Sequence, residues 1–416
     1  MGKIVKYKME MEVLTPVHIA GADYKSKLNK NEYIYKDRDK ILILIDRDKF
    51  VDFLIKKDLF EEYLSYINGE TKLKSLTDFL ENNKISEEEF IKKIYDGVYI
   101  GKSNNIILLN RSIENKIYIP GSSIKGALVN LLLVNYIVGN RKEFENEIEY
   151  ISSYITKQIN KDMSNQKIEK TKDEVNENIS NIIENIIQQI LYKKDKIIIK
   201  KENKLIKQKF KIDEEKFNRN LGISISDTYK TENESFCFFR DFDEKLEEGN
   251  QVKKMPLARE YINPKTRFMF DITLDFELLS ETRLEINDFN DLINALEEAT
   301  NYLIKNILET PGDLDDLHCQ NCQNLILGAN TGFHQKTIVY ALFENKKQRL
   351  EVVKRLLHKK KKQKKGDKRI DDHLDDRFSP RVINRIKIKD KKDNKLKSKL
   401  AGLVEIRKIS EKEVGK

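Results

Sequence analysis

From Asn140 to Leu221 the chain contains no glycine, and from Gly121 to Met255 no proline. A stretch without either breaker favours long helices over turns. Inside it Val175, Ile179, Ile182, Ile183, Ile186, Ile187, Ile190 and Leu191 recur every three or four residues, one apolar stripe along a helix. Residues 140–220 are therefore expected to form a helical insertion whose stripe meets a core or a neighbouring subunit, not a cofactor. The flanks read differently. Lys6–Leu14, Glu32–Tyr35 and Lys40–Ile45 precede the insertion as strands, with a short Ile117–Ile119. Ile223–Ser226, Phe236–Phe239, Arg267–Glu277, Val382–Ile388 and Gly402–Ile406 follow it. Helical spacing predicts helices over 50–83 behind an Asp46 cap, over 124–138 closed by Gly139, over 291–308 ended by Pro311-Gly312, and over 337–343.

The two halves echo each other: each has a strand, a helix, then a glycine-bearing loop that opens a second helix. This order predicts an α+β fold of two ferredoxin-like (RRM-like) βαββαβ domains with helical insertions, over residues 1–222 and 223–416. A chain of 416 residues is also too long for one usual core.

Charge narrows the partners. The chain carries +9 overall, but Lys346–Lys416 holds 27 basic and 11 acidic residues, a net +16 against −7 for the rest. A mildly acidic body with a strongly basic end suits a polyanion, although a solvated lysine surface has the same composition. The densest part is a lysine-rich loop at about 354–369, with six lysines between Lys359 and Lys365. Three cysteines exclude a disulfide framework. No apolar run approaches the roughly 18 residues of a membrane span and no signal-like stretch opens the chain, which predicts a cytoplasmic protein without membrane contact.

The segment Pro120-Gly121-Ser122-Ser123-Ile124-Lys125-Gly126 is the most informative loop. Its glycines have P-loop spacing, but Ala127 and Leu128 stand where a P-loop needs Lys then Ser or Thr, which disfavours nucleotide hydrolysis. A glycine turn entering a helix presents free N–H groups at the positive end of the dipole, and Lys125 adds a charge: a phosphate seat. An ordinary helix capped by Ser122 or Ser123 is the other reading. Gly328-Ala329-Asn330-Thr331-Gly332 repeats the device, with Asn330, His334 and Lys336 as polar contacts, or is simply a tight turn. Loop residues His18, Lys25 and Arg111, and Arg381 and Arg385 beside a strand, complete the candidate RNA contacts. His18 is also the one candidate general base for cleavage through a 2′-hydroxyl. Cys319 and Cys322 have zinc-like spacing, but Cys237 is the only other thiol, so reduced cysteines without a metal are expected. Asp371, Asp372, Asp375 and Asp376 lie among lysines and read as a charge-balanced loop before a Mg²⁺ site. No cofactor is predicted.

Tyr118–Leu128 resembles the signature of the RAMP superfamily of CRISPR systems. Within that superfamily, Thr15–Ile19, Pro256–Ile262, Leu327–Phe333 and Ser379-Pro380-Arg381 are similar to the fifth-subunit family of type III-A (Csm) effectors. The resemblance spans nearly the whole chain. It implies two RAMP folds and a non-catalytic role at the 3′ end of the CRISPR RNA (crRNA), in RNA maturation and complex assembly. The implied partners are crRNA, neighbouring RAMP backbone and small subunits, and beyond them target RNA and host nucleases. Gly21-Ala22-Asp23-Tyr24-Lys25 departs from the Gly-x-Asp-Asn-Pro pattern of target-cleaving subunits, which argues against Asp23 as a catalyst. A metal-independent CRISPR RNA-processing endoribonuclease using His18 is the alternative. An equivalent cap of a type III-B complex is a weaker one.

Overall fold

The computed structural model describes residues 3–21, 27–101, 105–164, 169–192, 221–233, 235–245, 253–308, 324–329, 331, 337–357, 382–389 and 396–414. Strand β1 (Ile4–Val13) leads to β2 (Lys27–Asn29), β3 (Tyr33–Lys36) and β4 (Ile41–Ile45). Helices α1 (Arg47–Lys56), α2 (Phe60–Ile67) and α3 (Leu76–Asn82) come before β5 (Ile91–Tyr95) and β6 (Asn105–Ile107). Next are α4 (Gly121–Gly139), α5 (Glu145–Ser164) and α6 (Glu169–Tyr192). Strands β7 (Ile223–Ile225), β8 (Lys230–Glu232), β9 (Phe236–Lys245), β10 (Lys253–Ile262) and β11 (Arg267–Asp275) follow. The last stretch holds α7 (Phe276–Ser280), α8 (Phe289–Leu308), β12 (Leu325–Ile326), α9 (Val339–Leu342), α10 (Lys346–Leu357), β13 (Val382–Lys389), β14 (Leu396–Lys399) and β15 (Leu403–Glu413).

One sheet organises the molecule. Its order is β12-β15-β1-β11-β7, with β8 also on β11, and every pairing is antiparallel. Taken with α4 and α8, the path β1-α4-β7-β11-α8-β15 is a βαββαβ unit whose strands lie fourth, first, third, second. Its strands come from both sides of residue 222: β1 pairs with β11 on one edge and with β15 on the other.

Alternation explains why these strands hold. Val5, Tyr7, Met9, Met11 and Val13 of β1 are buried on one face, as are Phe268, Phe270, Ile272 and Leu274 of β11. Each is worth roughly 1.5–3 kcal/mol on burial. Helices α4 and α8 cover that face and pack on each other. At 19 residues α4 has the length and hydropathy of a bilayer-crossing helix. Its apolarity is spent inside the protein: Ile124, Leu128, Leu131, Leu132, Val134 and Ile137 are all in the core. A helix apolar on most sides is a buried one.

The stripe of the insertion joins the same core. Ile179, Ile182, Ile186, Ile190 and Leu191 are buried and Ile183 and Ile187 pack beside them, so α6 is part of the main body. Val175 lies where side chains are not described, and 193–220 lie outside the described residues.

Three expectations need correction. The strand expected at Ile117–Ile119 is only an isolated bridge between Ile117 and Arg111. Residues 50–83 are three helices, because the backbone turns left-handed at Asp58 (φ 57°) and Gly69 (φ 77°). With the β3-β4-β5 sheet they enclose a small core of their own around Phe50, Phe79 and Phe90. The strand expected to reach Glu277 stops at Asp275, whose carboxylate caps α7 by accepting the amides of Glu277 and Leu278 at 3.1 and 3.3 Å. A second six-stranded sheet, β14-β13-β9-β10-β6-β2, includes a parallel β10–β6 pair.

Candidate nucleic-acid interface

Three segments far apart in sequence converge at the start of α4. Gly121 is required there by its neighbour: a Cβ would sit 2.3 Å from the Ile225 carbonyl oxygen. Thr228 ties the incoming chain down. Its hydroxyl accepts from the Ile119 amide at 2.9 Å, and its own amide donates to the Ile119 carbonyl at 3.1 Å. The phosphate seat expected at Gly121 is already taken, since the Gly121 amide donates to Asp227 Oδ1 at 2.8 Å. The Ser123 amide turns back to the Pro120 carbonyl at 2.9 Å. Neither Ser122 nor Ser123 caps the helix, whose N-cap is Pro120.

Beyond this first turn the helix is open. A Cβ on Gly126 would meet nothing within 4 Å, so its glycine leaves bare backbone facing space. Lys125 is half-buried, and desolvation holds its ammonium below the usual lysine range. Among the described residues no carboxylate is paired with it.

His18 forms the second segment. It is fully buried, its Nδ1 lies 2.6 Å from the Glu260 carbonyl oxygen, and its ring centroid lies 5.6 Å from that of Tyr261. A carbonyl only accepts, so Nδ1 carries the proton and Nε2 presents a lone pair. Burial, reinforced by the charge of Arg259 and opposed by the Glu260 carbonyl bond, lowers its pKa to about 4. Nε2 is buried without a hydrogen-bond partner among the described residues.

The third segment is held by Gly328 at φ +91°, where a Cβ would lie 2.5 Å from the His18 carbonyl oxygen. That oxygen instead accepts from the Ala329 amide at 2.7 Å, which fixes this loop to the His18 loop. The three segments line one groove of about 500 Å³. His18 and Ala20 form one wall, Ser122, Ser123, Gly126 and Asn130 of α4 another, and Gly328 and Ala329 a third.

Arg111 is not a free contact. Its guanidinium makes a two-pronged ion pair with Glu260, with Nη1 to Oε2 at 2.7 Å, and Glu260 Oε2 also accepts the Leu109 amide at 2.9 Å. Glu260 is fully buried and the Arg111 side chain only 17% exposed. The pair is structural: it joins β10 to the loop ahead of α4, and the same residue's carbonyl positions His18. Glu260 and Asp227 were the residues that sequence reasoning missed. The charged pair Arg259-Glu260 between Leu257-Ala258 and Tyr261-Ile262 was the available signal for the first; nothing local marked the second.

A larger cavity of about 680 Å³ lies between the end of α4 and α8. Glu285, Asp291 and Glu298 line it against Lys305, the wrong balance for a polyanion. Lys25, Asn330, Gly332, Lys336, Arg381, Cys319, Cys322 and the acidic run 371–376 lie outside the described residues, as does the lysine-rich loop from 358 onward. Arg385 lies on β13, where only the backbone is described. Among the described residues no cluster of metal ligands occurs, and burial pushes the Cys237 thiol well above its usual pKa.

The model of the RAMP superfamily matches residues 10–413, and the chain belongs to that superfamily. Over 150 residues it is 29% identical to the CRISPR system Cms protein Csm5 of Enterococcus italicus, covering 30% of this chain and 42% of that protein. Over 139 residues it is 27% identical to the CRISPR system Cms protein Csm5 of Streptococcus thermophilus, covering 30% of this chain and 38% of that one. The chain thus spans about 40% of the length of these curated relatives. A chain of a solved Csm–crRNA–target RNA ternary complex from a type III-A CRISPR-Cas system has a TM-score of 0.58 at 16% identity, over 98% of this chain and 100% of that one. At that identity the likeness is one of fold.

Proposed function

We propose that this chain is a non-catalytic RNA-binding subunit of a cytoplasmic type III-A CRISPR (Csm) effector. It caps the 3′ end of the crRNA and supports crRNA maturation and complex assembly. Its partners are crRNA and the adjoining RAMP backbone and small subunits, with target RNA and host nucleases beyond them. One observation carries the reading: the Pro120–Gly126 segment, which resembles the superfamily signature, and the His18 and Gly328 segments, which resemble the fifth-subunit family, line a single groove. The relatives named Csm5 and the fold likeness to a chain of a Csm–crRNA–target RNA complex support it. We read the second six-stranded sheet as the remnant of the second ferredoxin-like unit.

Grip on RNA of this kind is mostly electrostatic and independent of sequence. The backbone at Gly126 lets a ribose-phosphate chain come close, the Ser122 and Ser123 hydroxyls offer hydrogen bonds, and Lys125 supplies charge nearby. Arg381 and Lys336 belong to the same proposal. Purifying the assembled complex with Lys125→Glu and Arg381→Glu together tests it. Reduced crRNA content is expected, and unchanged content overturns the site.

The endoribonuclease alternative depends on His18. A general base works best with a pKa near the working pH, and His18 at about 4 is a weak base held out of water. Incubating the chain with precursor RNA in chelator separates the readings. Specific cuts that vanish in His18→Ala would establish the enzyme.

A further inference from the structure

We infer that His18 Nε2 is an acceptor for a ribose 2′-hydroxyl, which lets the groove distinguish RNA from chains that lack that donor. The inference rests on the RNA-binding reading above and names the group read at its site.

Tautomer comes first. The Glu260 carbonyl 2.6 Å from Nδ1 can only accept, so the proton is on Nδ1 and Nε2 is left as a lone pair. This tautomer does not depend on the ring's titration. His18 is one of the residues lining the groove, and its Nε2 has no partner among the described residues and is shut off from bulk water. A buried acceptor left unpaired is unfavourable. A ligand that donates to it recovers that cost; one that cannot does not.

Chemistry then selects the donor. Phosphate oxygens only accept, so the part of a nucleic acid that satisfies the α4 hydroxyls does not satisfy Nε2. The donors on an RNA chain are the 2′-hydroxyls, the base N–H groups and, at the end of the strand, a 3′-hydroxyl that DNA shares. The groove walls favour the sugar. Ala20, Gly126, Ala127, Gly328 and Ala329 are small, and among the described residues no Phe, Tyr or Trp lines the groove to stack a base. Base recognition in single strands normally uses such a ring. A hydroxyl is also the smallest donor available, which suits an acceptor set back from the surface. The 2′-hydroxyl is what separates RNA from DNA at a single site.

The test uses the full chain and one single-stranded oligonucleotide in three forms: RNA, the 2′-O-methyl RNA and DNA. The variant is His18→Asn, whose side-chain amide keeps a donor for the Glu260 carbonyl but has no counterpart of Nε2; its melting temperature reports whether the fold survives. Wild type is expected to bind RNA about threefold to tenfold more tightly than either modified strand, the net value of one hydrogen bond. In His18→Asn the ratio of RNA to modified-strand affinity is expected to fall to about one, whatever the absolute affinity. Wild type that binds all three forms equally overturns the inference and leaves RNA binding standing. A preference that persists in His18→Asn overturns it too, because the hydroxyl is then read elsewhere. Homopolymer RNAs form the remaining arm: a base preference abolished by His18→Asn, with the sugar ignored, gives Nε2 to a base N–H and overturns it. Absence of binding to any strand removes the RNA-binding reading itself, and the inference with it.

Discussion

Asp227 Oδ1 accepts the amide hydrogen of Gly121 at 2.8 Å, so the positive end of α4 already holds a full negative charge supplied by the protein. A helix start satisfied in this way repels a phosphate at that point. Asp227→Asn keeps an oxygen for the Gly121 amide and removes the charge. RNA affinity is expected to rise about threefold at low salt, with the gain fading as salt screens it. Titrations at two salt concentrations check this; unchanged affinity at low salt would remove Asp227 from the neighbourhood of the bound strand.

The two glycines of this segment should respond in opposite directions. Gly126→Ala puts a methyl into open space in a helix interior and is expected to stabilise the fold by up to about 1 kcal/mol. The same methyl stands in the groove, so RNA binding should weaken. Gly121→Ala drives a methyl into the Ile225 carbonyl and is expected to cost more than 2 kcal/mol. Urea unfolding of the two variants gives both signs.

The Arg111–Glu260 pair should tolerate no single truncation. Glu260 is fully buried, and removing Arg111 leaves its charge uncompensated. Arg111→Ala is expected to lose about 3–5 kcal/mol of stability, measured by denaturant unfolding. A loss below 1 kcal/mol would mean that water reaches the carboxylate.

Acid should expose the buried His18. Its folded pKa of about 4 lies below the ordinary 6.5, so the unfolded chain takes up a proton that the folded chain refuses. The stability tied to the neutral ring is complete above 6.5 and drains away as the pH falls toward 4. It amounts to at most about 3 kcal/mol. Carboxylates titrate over part of the same window, so the readout is the difference between wild type and His18→Asn, which should lack this component of the slope.

Lys125 should appear in the salt dependence. Each phosphate contact contributes about 0.7 to the slope of log affinity against log salt for a single strand. Lys125→Ala is expected to lower the slope by about that amount. A weaker affinity with the slope unchanged would argue for a packing role.

Much of the main sheet was legible because β1 and β11 alternate cleanly and one face of each is buried. The α6 stripe was legible for the same reason at helical period. Strand β10 was not, since Pro256 argues against a regular strand. The sheet accommodates it where the β9–β10 register shifts between Lys254 and Ala258. The far half of β15 was hidden as well: Arg407–Glu413 is exposed, so no apolar alternation marks it. At the site, each of the three motifs was singled out separately, but nothing in the sequence joined them into one groove. The loss of Gly121 and Arg111 as ligand contacts could not be foreseen. Both are consumed by acids more than a hundred residues away, and long-range pairing leaves no local pattern.

The placement of β1 between β11 and β15 has a consequence for biosynthesis. On the ribosome, β1 emerges with a buried face and two open edges, and its partners, ending at Asp275 and Glu413, are not yet made. Contacts of such span close slowly and leave strand edges open to wrong partners in the meantime. The β1 strand of the nascent chain thus keeps both edges unpaired until β11 is made, and one of them until β15 is made.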